Sequence, residues 1–252
     1  METKKYSLID THVHIDELAD VGGAIERGQS VGIKAIIAVG SDLVSNEKVL
    51  TIAQTLPGFL FPAIGFHPWQ IKADLLEATL GVIEGEAQRC IALGEVGLDF
   101  KVEVEKTIQI RAFRRILELA ASRDKPVIVH ARGAWDEALS MVSEAGLEKV
   151  VFHWYSGPMG VLTRIIEKGY LISATPALAY SPRHRKAIRR MPIEGLVLET
   201  DAPQAYRGVE SEPNDLLTSL FMVAELKGMQ PEEVAEKTTR NALEFFGLDV
   251  AV

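Results

Sequence analysis

Two histidines separated by a single residue, His12-Val13-His14, stand near the start of a 252-residue chain. On an extended strand this spacing puts both imidazoles on one face, because side chains alternate with period two. So placed, they can grip one metal ion as a pair. Further along, Glu95 lies in Leu93-Gly94-Glu95-Val96-Gly97-Leu98-Asp99, flanked by glycines that allow close approach to the backbone. A carboxylate has two oxygens and can bridge two ions, as a two-metal hydrolytic site requires. His130, His153 and Asp201 complete a mixed nitrogen and oxygen set suited to Zn²⁺, Mn²⁺, Mg²⁺ or a similar ion. A lone strand-end histidine is commonly a hydrogen-bonded structural residue. A His-X-His pair, a mid-chain acid, two later histidines and a late aspartate have few structural explanations in combination.

These residues need a scaffold that brings distant segments to one place. Short apolar runs alternate with amphipathic stretches throughout, and strands are predicted at 7–14, 34–40, 60–67, 90–99, 126–132, 149–156, 170–176 and 195–203. Continuous apolar runs such as Ala35-Ile36-Ile37-Ala38-Val39 and Val127-Ile128-Val129 fit parallel strands covered by helices. Helices are expected at 104–123, 212–227 and 231–246, the last with proline in its first turn. Eight strand–helix alternations without a linker predict an α/β fold, a single-domain (β/α)₈ TIM barrel spanning 1–252, although a doubly wound sheet shares the local pattern. In such a barrel the active site forms at the C-terminal ends of the strands. His12, His14, His67, Glu95, His130, His153 and Asp201 all fall at or near such ends.

Bulk properties narrow the function class. No run approaches the ~18 apolar residues of a membrane span, and the N-terminus carries no apolar signal region. The cytoplasm is therefore the expected location, with no membrane partner; the sequence leaves the oligomeric state open. A net charge of −8 argues against broad adhesion to nucleic acid, but bound metal ions can supply positive charge locally. The single cysteine, Cys90, lies in an apolar run and is expected in the core.

In this order, several blocks resemble the TatD family of metal-dependent deoxyribonucleases, within the amidohydrolase-like barrels. They are Ile9-Asp10-Thr11-His12-Val13-His14, Gly65-Phe66-His67-Pro68, the Glu95 block, Pro126–Arg132, Phe152–Gly157 and Leu198-Glu199-Thr200-Asp201-Ala202-Pro203. The resemblance covers nearly the whole chain. It implies that His12, His14, Glu95 and Asp201 hold one metal while Glu95, His130 and His153 hold a second. It further implies Asp201 as general base, His67 and Arg132 beside the scissile phosphate, and hydrolysis of DNA, often from the 3′ end. Some members of that family instead deacylate mischarged aminoacyl-tRNA.

Other residues carry narrower expectations. His67 either contacts a substrate phosphate, the favoured reading, or anchors its loop. Trp69 reads equally as core or as a stacking platform. Glu199 is expected to point to the same face as Asp201, one layer deeper, as support. Ser181 and Pro182 look like a helix start, and the cations Arg183, Arg185 and Lys186 in a first turn oppose the helix dipole. One of them, Arg183 foremost, is expected to contact a substrate phosphate, the alternative being a merely solvated helix start. His184 is expected on the surface. Hydrolysis of cyclic amides or neutral esters is disfavoured, since many such barrels carry a modified lysine where Glu95 stands. A barrel that binds without catalysing should have lost ligands, and all six are present.

Overall fold

The computed structural model describes residues 6–251. Eight parallel strands follow one another in sheet order: β1 (Leu8–Val13), β2 (Ile33–Val39), β3 (Leu60–Phe66), β4 (Ala92–Asp99), β5 (Val127–Arg132), β6 (Val150–Phe152), β7 (Leu171–Ala174) and β8 (Leu196–Leu198). Helices α1 (Val21–Ser30), α2 (Leu43–Ala53), α3 (Leu76–Glu86), α4 (Lys106–Arg123), α5 (Trp135–Glu144), α6 (Met159–Glu167) and α7 (Pro182–Arg190) connect them. Beyond β8 come a small hairpin of β9 (Ala205–Tyr206) and β10 (Val209–Glu210), then α8 (Leu216–Lys227) and α9 (Pro231–Phe246). The (β/α)₈ barrel expected from the strand–helix alternation is the fold observed.

Alternate strand positions divide the apolar residues into two clusters. Ile9, Ala35, Ala63, Ala92, Ile128, Val151 and Val197 form an inner cluster, on which α9 packs Phe245 and Phe246. The other strand faces pack outward against the helices. In α4, Phe113, Ile116, Leu117 and Ala120 make the buried stripe, each large side chain contributing roughly 1.5–3 kcal/mol by burial. Gln109, also buried in α4, accepts from the Asp99 backbone N–H at 2.8 Å and donates to the Asp99 carbonyl at 2.9 Å. It thereby ties the end of β4 to the helix behind it. Cys90 is buried as expected, and burial pushes its thiol up to about 12.

The barrel closes between β1 and the segment after β8. The His14 N–H donates to the Ala202 carbonyl at 2.8 Å and the Asp201 N–H to the His12 carbonyl at 2.9 Å. Asp10, fully buried, accepts from the Thr200 N–H at 2.9 Å and pairs with the Thr200 hydroxyl at 2.6 Å. Several expected strands are shorter than the sequence implied, β6 and β8 most of all. β6 ends at Phe152 and β8 at Leu198, so His153, Glu199 and Asp201 lie past the strands, where pleat alternation no longer sets direction. Asp201 has φ of +57°, a left-handed conformation that aspartate tolerates better than most residues.

Candidate active site

Barrel closure lays the first and last blocks side by side at the mouth. His12 Nε2 lies 3.3 Å from His14 Nε2, 3.2 Å from Glu95 Oε2 and 3.6 Å from Asp201 Oδ1. His14 Nε2 is 3.5 Å from each of those two oxygens. Four donors arranged tetrahedrally around an ion ~2.1 Å away stand about 3.4 Å apart. The spacing of this donor set fits a divalent metal ion.

The second carboxylate oxygen of Glu95 faces a different group. Glu95 Oε1 is 2.8 Å from His130 Nδ1 and 2.8 Å from His153 Nε2, and those two nitrogens are 3.4 Å apart. Each of these histidines has an acid behind it. His130 Nε2 faces Asp99 Oδ2 at 3.3 Å, and His153 Nδ1 faces Glu199 Oε1 at 3.2 Å. Such backing fixes the ring and raises the basicity of the nitrogen that faces the metal. Glu199 thus supports the site as expected, although it does so from a loop rather than by strand alternation. Asp99 was not expected here. Its place on the same face of β4 as Glu95, four residues on, was the available signal.

His67 is also inside the cluster, with Nε2 3.2 Å from His130 Nδ1 and 3.4 Å from Glu95 Oε1. Its Nδ1 accepts the Trp69 backbone N–H at 3.2 Å, which assigns the ring proton to Nε2. A protonated Nε2 is a donor, not a metal ligand.

Burial pushes the Glu95 carboxyl up, but the surrounding His153, His67 and His12 outweigh it and hold the group well below its usual range. Asp201 is likewise lowered against burial, chiefly by His14. His14 and His153 are raised well above the ordinary histidine value and His130 is raised, in each case against burial and because of the facing carboxylates. Burial instead lowers His67 to about 4 and keeps it neutral.

The peripheral residues divide. Arg132 has Nη1 3.7 Å from Asp99 Oδ2 with 55% of its side chain exposed, so the guanidinium stands at the rim. At the start of α7, Ser181 caps the helix and Pro182 follows, as expected. Arg183 and Lys186 are exposed there. Arg185 turns away, donating to the Leu178 carbonyl and to Glu225 on α8. The surface placement of His184 is wrong. It is fully buried, its Nδ1 2.8 Å from the Tyr155 carbonyl and its Nε2 accepting the Thr175 N–H at 3.2 Å. Charged neighbours suggested solvent, but α7 is amphipathic and His184 shares its buried face with Ala187 and Ile188.

The chain is similar to known proteins over nearly its whole length. A family model described as TatD related DNase matches residues 9–247. The chain is 31% identical to human "Deoxyribonuclease TATDN3", covering 98% of this chain and 97% of that protein. It is 30% identical to an "Uncharacterized metal-dependent hydrolase" of Methanocaldococcus jannaschii, covering 98% of each. Among solved structures it is similar to the Escherichia coli TatD homologue YJJV, with TM-score 0.87 and 26% identity over 96% of this chain and 98% of that one.

Proposed function

The chain belongs to the TatD-related DNase family of metal-dependent hydrolases, and from that membership we propose that it hydrolyses phosphodiester bonds of DNA from the 3′ end with two divalent ions. One observation carries the two-ion reading. The two oxygens of Glu95 face separate histidine groups, His12 with His14 on one side and His130 with His153 on the other. Asp201 joins the first group. When bound, such ions supply Lewis acidity, lower the pKa of water toward ~7 and offset the negative charge that shields a phosphodiester.

The chain's own residues do the rest. Asp201 takes the proton of the attacking water as the new P–O bond forms, while the leaving oxygen keeps the electron pair of its broken P–O bond and takes a proton from solvent. Neutral His67 offers its Nε2–H to a non-bridging phosphate oxygen. Arg132, half exposed beside Asp99, and the exposed Arg183 receive flanking phosphates in this reading. Asp99 and Glu199 keep His130 and His153 aimed at Glu95.

The test is hydrolysis of single-stranded DNA, duplex DNA, RNA and charged tRNA after chelation and after return of Mg²⁺, Mn²⁺ or Zn²⁺. Metal-dependent shortening of single-stranded DNA, stopped by a blocked 3′ terminus, is expected. Preferential release of amino acid from tRNA, or full activity after chelation, refutes the reading.

A further inference from the structure

We propose that Trp69 is a seat for an unpaired nucleobase beside the scissile phosphate, an inference that rests on the DNA reading above. Trp69 follows His67 at the end of β3, and 48% of its surface is exposed at the mouth. A single exposed aromatic is ordinary on a protein surface, but this one stands against the buried His67 and His130 rings. The indole is also held in place. Its Nε1–H donates to Asp99 Oδ2 at 2.5 Å, and Asp99 in turn faces His130. Its backbone N–H holds His67.

The ring contacts leave room for a base. The indole centroid lies 4.9 Å from the His67 ring and 5.9 Å from the His130 ring, at interplanar angles of 88° and 76°. No described ring lies parallel to it. The other rim aromatics differ, because Trp154, Tyr206 and Tyr180 pack on one another and Arg207 covers the Tyr180 ring. A phosphate held by His67 would bring its base within reach of the indole, whose ring centroid lies 4.9 Å from that of His67. Stacking there requires a base released from its pair and its neighbour. The seat therefore favours single strands and frayed ends over closed duplex, and it tolerates any base, since every base has a π-face.

The experiment compares wild type, Trp69→Phe and Trp69→Ala on three substrates: a single-stranded oligonucleotide, the same oligonucleotide with abasic terminal positions, and bis(p-nitrophenyl) phosphate. Stacking is worth about 1–3 kcal/mol per base, or roughly 5- to 150-fold. Trp69→Ala should lose more kcat/KM on the base-bearing strand than on the abasic strand, by about that factor. Trp69→Phe, which keeps a ring but loses the hydrogen bond to Asp99, should retain most of the activity. With metal bound and a cleavage-resistant phosphorothioate strand, single-stranded DNA should quench a part of the tryptophan emission that both variants lack.

Equal losses on base-bearing and abasic strands overturn the inference, as does absence of the quench. A Trp69→Phe variant as poor as Trp69→Ala assigns the effect to Asp99 and overturns it too. If wild type cleaves the chromogenic diester but no oligonucleotide, the DNA reading falls and the inference with it.

Discussion

His184 gives the structure a quantitative consequence in acid. The ring is fully buried and hydrogen-bonded through both nitrogens, to the Tyr155 carbonyl and the Thr175 N–H, so it joins the loops after β6 and β7 to α7. Burial lowers it from 6.5 to about 4, against smaller opposing contributions from the Tyr155 carbonyl and the charge of Glu199. Below pH ~6.5 the unfolded chain therefore takes up a proton that the folded chain resists. Unfolding is favoured progressively as pH falls from there to about 4, and the effect then levels off. At about 1.4 kcal/mol per pH unit, this one residue removes about 3 kcal/mol of stability between pH 7 and pH 4.

Other histidines in the cluster titrate as well, so the informative quantity is a difference between proteins. His184→Gln destroys part of the strut and should cost about 1–3 kcal/mol at pH 7 by leaving buried partners unsatisfied. It also removes the titration. Urea unfolding of chelated wild type and variant at pH 7 and pH 4 gives the two gaps, and the gap at pH 4 should be smaller, or reversed, by about 3 kcal/mol. A gap independent of pH would mean that His184 titrates alike in folded and unfolded chains, and the argument would fail.

Three further outcomes are expected. Asp201→Asn should lower kcat by ~10²–10⁴-fold while the group of Glu95, His130 and His153 still binds metal; a kcat within a few-fold of wild type at normal metal content removes Asp201 as the base. Because the facing carboxylates raise His14, His130 and His153 in the metal-free protein, metal must displace protons near neutrality and affinity must fall as pH falls. Calorimetry in buffers of different ionisation enthalpy should report that proton release, and buffer-independent heats would contradict it. Replacing Arg183 and Lys186 together by Ala should raise KM for DNA at low salt and flatten its salt dependence, whereas an unchanged KM would return both to ordinary solvated surface.

How much the sequence by itself determined can be seen residue by residue. The alternation of apolar runs and amphipathic helices narrowed the fold to a barrel or a doubly wound sheet, because burying one strand face and one helix stripe leaves few arrangements. Closure between β1 and the segment after β8 decides for the barrel. The metal-type donors were legible for a similar reason. Histidines and acids at strand ends share one mouth once the strands are parallel and closed. Strand periodicity could not place what lies past a strand. Asp201 and Glu199 take their directions from a left-handed backbone at Asp201 and from bonds between that loop and His12 and Asp10, made across the barrel seam. Nor could local charge reveal that His184 faces inward, since Arg183, Arg185 and Lys186 surround it in sequence but not in space. The division of Glu95 between two histidine groups, the proton on His67 Nε2 and the half-open indole of Trp69 also depend on contacts between distant segments. Pattern along a chain decides which face of an element is buried; only tertiary packing decides what that face meets.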